Sequence, residues 1–126
     1  MIIHLDTSLL VDALSGTRRA LPALRVAASA GNRLTLSTIV LYEWLRGPRS
    51  DDEHRAHARL FPLDDVVPFG VDAARIAADV YQSLKRPRAR QIDIAIAACA
   101  IEHNAALWTL NTQDFDDIPG LMLYRG

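Results

Sequence analysis

The sequence lacks several features that would define particular protein classes. Cys99 is the only cysteine, so neither an internal disulfide nor a cysteine-based zinc cluster can form. No apolar run approaches the ~18 residues of a membrane-spanning helix, and the acidic Asp6 interrupts the first apolar stretch. These absences predict a cytoplasmic protein that makes no use of a membrane and that holds any metal through oxygen or histidine ligands.

The charged residues are balanced in number but uneven in type. Lys and Arg total 14, Asp and Glu total 15, and the net charge is -1, with Lys85 as the single lysine. Proteins that bind the double helix along its length are usually strongly basic. Any nucleic acid must therefore bind a local site on this chain.

Length and composition are typical of one globular unit. The 126 residues are 50% hydrophobic and 23% charged, with 6 glycines and 6 prolines, which excludes a disordered or collagen-like chain. A chain of this length can bury enough surface to fold without disulfide or metal staples. We therefore expect a single domain over residues 1–126.

Strand and helix signals alternate along the chain. Apolar runs predict strands at 2–5, 33–36, 65–69 and 106–109, and a short fifth strand at 121–124. Periodicity and capping residues predict helices at 7–14, about 18–30, 38–46, 51–60, 71–85 and 92–103. This alternation predicts an α/β fold, with a central parallel sheet of four to five strands and helices on both faces.

Acidic residues lie where ligands bind in such a sheet, at the carboxyl ends of strands and the amino ends of helices. Asp6 follows the first strand, where it can also serve only as a helix cap. Glu43 and Asp93 lie in otherwise apolar helices, where a carboxylate needs a polar or cationic partner. Asp114 follows the fourth strand, and an acid in a loop is often simply solvated.

A divalent cation would explain why these acids share one end of the sheet. Carboxylates brought close together repel one another by several kcal/mol unless a cation neutralises them. Mg²⁺ and Mn²⁺ prefer oxygen ligands, keep bound water and accept substrate phosphate as a further ligand. The sequence therefore predicts a metal site that serves phosphodiester chemistry.

The same acids lie in four segments that follow one another along the chain: LDTSLL at 5–10, LST at 36–38 with Glu43 after it, DIAIAA at 93–98 and LWTLNTQDF at 107–115. In order, spacing and total length these segments resemble the PIN-domain ribonucleases, and most closely the VapC-like toxins of type II toxin–antitoxin pairs. Each segment alone is a weak pattern, but together they extend the resemblance over essentially the whole chain.

The resemblance implies an endoribonuclease that depends on Mg²⁺ or Mn²⁺ and cleaves RNA. The residues implied to be catalytic and to bind the metal are Asp6, Glu43, Asp93 and Asp114. The fourth acid stays open between Asp114, Asp116 and Asp117. Two polar residues are implied to support the site, Thr7 and Asn111. The resemblance also implies a cognate antitoxin protein as partner and a homodimer.

Other interpretations of the chain stay open. A basic loop offers candidate contacts to RNA phosphates, although a solvated loop explains it equally well: Lys85, Arg86, Arg88 and Arg90. The segment 53–59, with His54 and His57, is most simply a solvated helix surface. The alternatives to a toxin are a PIN-fold RNA-processing nuclease without an antitoxin and a PIN fold that only binds.

Overall fold

The computed structural model describes all 126 residues, Met1–Gly126. Four strands form the sheet: β1 (Ile2–Leu5), β2 (Arg33–Thr35), β3 (Ala106–Trp108) and β4 (Met122–Leu123). Their spatial order is β2-β1-β3-β4, and every pair is parallel. The predicted parallel sheet is therefore confirmed, with four strands.

Six helices connect the strands: α1 (Thr7–Leu14), α2 (Leu21–Ser29), α3 (Thr38–Arg46), α4 (Asp51–Leu60), α5 (Val71–Ser83) and α6 (Gln91–Glu102). Local sequence explains several of their starts. Ser37 caps α3 by accepting a hydrogen bond from the Val40 amide, and Ser50 forms a capping box with Glu53 at α4. None of these helices combines the length and the apolar character needed to cross a lipid bilayer.

The strand predicted at 65–69 is wrong. Leu63–Asp65 forms a short 3₁₀ turn instead, and only Val67 joins the sheet edge, through one isolated parallel bridge to Ser37. Val67 already directs both its amide and its carbonyl to the partner segment, so the amide of the next residue would point away from that segment. The apolar composition of the run resembles a strand, but its partner turns into α3 at Thr38, whose hydroxyl accepts from the Phe69 amide at 3.1 Å.

The core surrounds the central strand β1 and the helix α6. Ile3 and Leu5 point to one face of β1 and His4 points to the other, and all three are buried, so both faces of the sheet are covered. In α6, residues 96–100 are buried without interruption. The helix that carries Asp93 is therefore the most deeply placed helix of the fold, which brings that carboxylate close to the sheet.

Helix α4 is less solvated than its polar sequence predicts. His57 is buried, and its ring stacks on Trp44 of α3 with 5.2 Å between ring centroids. Burial, with a smaller effect of nearby His54, lowers the pKa of His57. The expectation of a solvated surface is wrong at this position because the apolar partner comes from a different helix.

Candidate active site

Asp6 lies directly after β1, next to the end of β3. Its amide donates to the Trp108 carbonyl at 2.9 Å, which places Asp6 beside Thr109. The hydroxyls of Ser8 and Thr109 both donate to Oδ2 of Asp6, at 2.9 and 2.6 Å. Although Asp6 occupies the N-cap position of α1, its side chain accepts no capping hydrogen bond. Helix capping therefore does not explain this buried carboxylate.

Backbone amides orient the two hydroxyls that hold Asp6. The Leu110 amide donates to Ser8 Oγ at 3.1 Å, and the Asn111 amide donates to Thr109 Oγ1 at 3.0 Å. Because each hydroxyl oxygen accepts from the backbone, its own hydrogen is left to point at Asp6. Only Oδ2 is engaged in this way. The other oxygen, Oδ1, accepts no hydrogen bond from the protein and is left for a ligand.

Glu43 reaches from α3 to the first residue of α1. The Thr7 hydroxyl donates to Glu43 Oε1 at 2.6 Å. Arg46, one turn further along α3, lies 3.4 Å from Oε2, and its side chain is 59% exposed. An ion pair so open to water contributes little. The short hydrogen bond from Thr7 is therefore the contact that sets the orientation of Glu43.

Asp93 lies in the first turn of α6 and is the least compensated of the four acids. Its carboxylate has neither a hydrogen-bond donor nor an ion-pair partner within the chain. Its pKa is raised to about 6, first by burial and then by the carboxylates of Asp6, Asp114 and Glu43, while Arg90 opposes the shift. The four acids thus face one another at one end of the sheet, close enough to repel.

Three neighbouring aspartates lie in the last loop, residues 112–120 between β3 and β4, and they have different surroundings. Asp114 ends a 3₁₀ turn, Thr112–Asp114, and acts electrostatically on Asp93. Asp117 instead forms a bidentate ion pair with Arg90, whose Nη1 and Nη2 lie 2.9 and 2.7 Å from its two oxygens. Asp116 is exposed and has no ion pair. This arrangement favours Asp114 as the acid that belongs with the other three.

The cations of the basic loop also differ in their surroundings. Lys85, Arg86 and Arg90 line an open cavity of about 610 Å³ beyond the end of α5, together with Asp117. Arg90 is engaged by Asp117, whereas the other two cations have no ion pair. Arg88 is exposed and does not line the cavity. Lys85 and Arg86 therefore border this cavity without an ion-pair partner, whereas Arg90 borders it with its charge already paired to Asp117.

The oxygen ligands of this site suit Mg²⁺ or Mn²⁺. No three His, Cys, Asp or Glu side chains stand close enough together to enclose one ion, so the acids repel without forming a closed cage. That spacing still fits Mg²⁺, which commonly takes one or two carboxylates and fills its other positions with water and phosphate. Oδ1 of Asp6 and both carboxylate oxygens of Asp93 and of Asp114 accept no hydrogen bond within the chain and are free to bind a metal.

Ser8 and Thr109 are the site residues that the sequence analysis missed. Both lie inside the matched segments, but neither interrupts an apolar helix as Glu43 and Asp93 do. Their role follows from the parallel register of β1 and β3, in which Leu5 is opposite Trp108. Asn111 is expected to support the site, but its side chain makes no hydrogen bond there. Only its backbone N–H does so, by donating to Thr109.

A family model and a known relative both assign this chain to the same protein family. The PIN domain model matches residues 3–121. Ribonuclease VapC of Rickettsia bellii (strain RML369-C) is 36% identical to this chain, over 68% of the chain and 71% of that protein.

Solved structures share the fold over almost their whole length. A toxin-antitoxin complex from Klebsiella pneumoniae is 29% identical, with a TM-score of 0.69, and the match covers 97% of this chain and 96% of that one. VapBC-1 from nontypeable Haemophilus influenzae is 25% identical, with a TM-score of 0.72 and coverage of 98% and 97%. VapBC2 from Rickettsia felis, solved with a DNA fragment from its promoter, has a TM-score of 0.75, 23% identity and 98% coverage of both chains, and shows the fold alone. With a family model that covers most of the chain and all four acids, and a relative more than one-third identical, the chain belongs to the PIN-domain family as a VapC-like member.

Proposed function

We propose that this VapC-like chain is a metal-dependent endoribonuclease of the cytoplasm and the toxin of a type II toxin–antitoxin pair. The observation that carries the proposal is the convergence of four carboxylates, which together with burial raises the pKa of Asp93: burial makes the larger contribution and the three neighbouring acids add to it, to about 6. Repulsion between carboxylates lowers the stability of the folded state, so a cluster of acids that repel one another indicates a functional requirement for their charges. The name of the Rickettsia bellii relative, a ribonuclease, supports RNA as the substrate.

Asp6 and Asp93 are the proposed principal ligands for Mg²⁺ or Mn²⁺. Asp6 has one oxygen held by two hydroxyls and one free oxygen, so its carboxylate is oriented in advance. Asp93 has no partner in the chain that a metal would need to displace. Glu43, oriented by Thr7, binds directly or through water, and Asp114 completes the acidic site from the last loop.

The proposed site has two kinds of residue: carboxylates that bind the cation, and hydroxyls that hold Asp6 in place. When bound, Mg²⁺ or Mn²⁺ supplies a more acidic water as nucleophile and neutralises charge on the departing 3′ oxygen. The hydroxyls of Ser8 and Thr109 hold the carboxylate of Asp6 in place by donating to its Oδ2. In-line cleavage on this pattern leaves a 5′ phosphate and a 3′ hydroxyl. Without a cation, the acids would repel an RNA phosphate rather than bind it.

Phosphate contacts away from the cleaved bond are proposed for the basic loop. Lys85 and Arg86 border the cavity of about 610 Å³ and have no ion pair, so their charges are available to the RNA backbone. Arg88 is exposed on the same loop and can add a contact. Arg90 borders the cavity as well, but Asp117 already engages its guanidinium.

Two protein partners are proposed, a cognate antitoxin and a second copy of the chain. The Klebsiella pneumoniae neighbour is a toxin-antitoxin complex, and the relatedness of the two chains supports an antitoxin for this one. Tyr42 and Leu45, both 56% exposed on α3, provide apolar surface for association, as a homodimer requires. A nuclease of this kind in the cytoplasm needs a partner that silences it.

The experiment that tests the proposed activity is a cleavage assay on mixed RNAs with Mg²⁺, with Mn²⁺ and with excess EDTA. We expect cleavage only with metal, and products that carry a 5′ phosphate. Asp6→Asn and Asp93→Asn should each reduce the rate more than about 100-fold, since even residues that merely orient a metal ligand cost 10- to 100-fold. Asp64→Asn, at an exposed acid outside the four-acid site, is the matched control and should cleave normally.

The folded state of each variant is checked by circular dichroism. Wild-type protein that binds RNA but cleaves none with either metal would favour the alternative of a PIN fold used only for binding. Cleavage by Asp6→Asn and Asp93→Asn at the wild-type rate would show that the four acids are not the catalytic site.

A further inference from the structure

We propose that Arg90 is a positioning residue, which fixes Asp114 relative to Asp93 by clamping the last loop onto the start of α6. This inference rests on the proposed metal-dependent function. It gives Arg90 a role distinct from that of Lys85 and Arg86, with which it shares the basic loop.

The clamp consists of three hydrogen bonds from one guanidinium. Arg90 is the residue immediately before α6, and Asp93 lies in the first turn of that helix. Nη1 and Nη2 of Arg90 donate to the two carboxylate oxygens of Asp117 at 2.9 and 2.7 Å, and Nη2 also donates to the backbone carbonyl of Asp114 at 2.8 Å. The side chain of Arg90 therefore fixes the backbone of Asp114 beside α6, the helix that carries Asp93.

No other polar contact ties this loop to a distant part of the fold. From 112 to 120, every other hydrogen bond joins residues no more than three positions apart, as in the bonds from the Asp114 and Phe115 amides. Phe115 and Ile118 are buried and anchor the apolar side of the loop. Asp114 itself is exposed. The guanidinium of Arg90 is therefore the only polar contact that this loop receives from a residue distant in the chain.

The geometry of the clamp requires arginine. A guanidinium presents its donors in a planar fork that matches a carboxylate, whereas an ammonium group makes a point contact. The side chain of Arg90 is only 25% exposed, which limits competition from water. A guanidinium whose donors are committed to Asp117 and to a backbone carbonyl is poorly placed to bind an RNA phosphate. Its charge and its geometry both affect the acids, so a test must separate the two.

The test measures Mn²⁺ binding to the full chain by titration calorimetry, with two variants that open the clamp. Arg90→Lys keeps the positive charge but loses the fork, and Asp117→Asn removes the negative charge and one of the two acceptor oxygens. We expect each to weaken Mn²⁺ binding about tenfold, the lower end of losses seen when an orienting partner of a metal ligand is removed. Asp116→Asn removes a charge at the next position without touching the clamp, and should bind Mn²⁺ within about twofold of wild type.

A second control matches the type of bond that is broken. Arg55 and Asp52 form an arginine–aspartate pair on the surface of α4, away from the acidic site. Arg55→Lys weakens that pair without contact to any of the four acids, so it should leave both Mn²⁺ affinity and cleavage at wild-type values. Any general effect of an arginine-to-lysine change would appear in this variant.

Two further readouts separate positioning from a loss of folding. In the clamp variants, the Mn²⁺ concentration for half-maximal cleavage should rise about tenfold while the rate at saturating Mn²⁺ returns to near the wild-type value. Hydrogen exchange at the amides of Asp114 and Phe115 should quicken, with exchange in β1 unchanged. A variant that is merely less stable would lose rate at every Mn²⁺ concentration and would exchange faster throughout.

The outcomes distinguish the clamp from the function on which it rests. If wild-type protein binds Mn²⁺ and cleaves RNA, but Arg90→Lys and Asp117→Asn bind Mn²⁺ as tightly, the clamp is overturned and the proposed function stands. If Asp116→Asn weakens binding as much as Asp117→Asn, charge alone accounts for the effect and the clamp is again overturned. If the wild-type protein binds no divalent metal, both the clamp and the proposed function fail.

Discussion

Neutralising Asp93 should stabilise the metal-free protein, although it removes a charged residue from the site. The carboxylate lies among three others without any hydrogen bond or ion pair, and its pKa is raised from 3.8 to about 6. In the unfolded chain both causes of this shift, burial first and repulsion by the neighbouring carboxylates second, are absent. Ionising Asp93 therefore favours the unfolded state, and Asp93→Asn removes this penalty while almost preserving the shape of the side chain.

The size of the effect follows from the pKa and from the place of Asp93 in its helix. A shift of about two pH units corresponds to about 3 kcal/mol, and partial exposure to solvent reduces this to about 1 to 2 kcal/mol. Asp93→Asn also loses a favourable interaction with the amino end of α6, which costs about 0.5 kcal/mol. The net gain in the free energy of unfolding is about 1 kcal/mol near neutral pH, equivalent to roughly 3 to 5 °C in Tm.

The pH dependence of the gain has a defined sign. Because the folded-state pKa of Asp93 is raised, its effect on stability is most favourable below about pH 4, where the carboxyl is protonated in both states. This contribution is lost as pH rises from about 4 to about 6, through the folded-state pKa. The gain from Asp93→Asn should therefore be full at about pH 7.5 and absent near pH 4.

Urea denaturation in EDTA, at about pH 7.5 and pH 4, measures this difference directly. The matched control is Asp72→Asn, since Asp72 is also an acid in the first turn of a helix but is exposed and lies on α5. It should lose up to about 0.5 kcal/mol at about pH 7.5. If Asp93→Asn lost stability to the same degree, the four carboxylates would not be close enough to repel, and their assignment to one acidic site would be wrong.

Two further predictions concern the ligands of the site. Lys85→Gln and Arg86→Gln should each weaken RNA binding and reduce the salt dependence of affinity by about one counterion, with Mn²⁺ binding unchanged; a salt dependence equal to that of wild type would mean that the loop is only solvated. In calorimetry, the cognate antitoxin should bind Asp93→Asn more weakly than wild type but still measurably, and excess Mg²⁺ should compete with it, because charge-assisted contacts to the acids add to apolar anchoring. Antitoxin affinity that responds to neither change would place inhibition away from the acids.

Most of the fold could be predicted because its signals are local. The strands β1 and β3 and all six helices lie within a few residues of their predicted bounds, since apolar periodicity and caps such as Ser37 and Ser50 act over one turn of chain. The failure at 65–69 has a cause outside that segment, because the residues that pair with Val67 turn into α3 at Thr38 and leave no further strand to pair with.

The acids of the site could be found from sequence for a different reason. Glu43 and Asp93 interrupt apolar helices, and a carboxylate in that setting demands an explanation. Ser8 and Thr109 carry no such signal, because a hydroxyl is ordinary at the start of a helix or the end of a strand. Their function depends on the register that sets Leu5 opposite Trp108, a pairing between distant parts of the chain that no local pattern encodes.

The basic loop shows where charge pattern alone stops being informative. Lys85 and Arg90 are equivalent in the sequence, as cations of one short segment beside the acidic site. What separates them is Asp117, an acceptor far along the chain, which the fold of the last loop returns to the start of α6. A cation that meets such an acceptor becomes part of the framework, whereas one that meets none keeps its charge for a ligand. One basic segment can therefore serve two functions, the positioning of Asp114 and the binding of RNA.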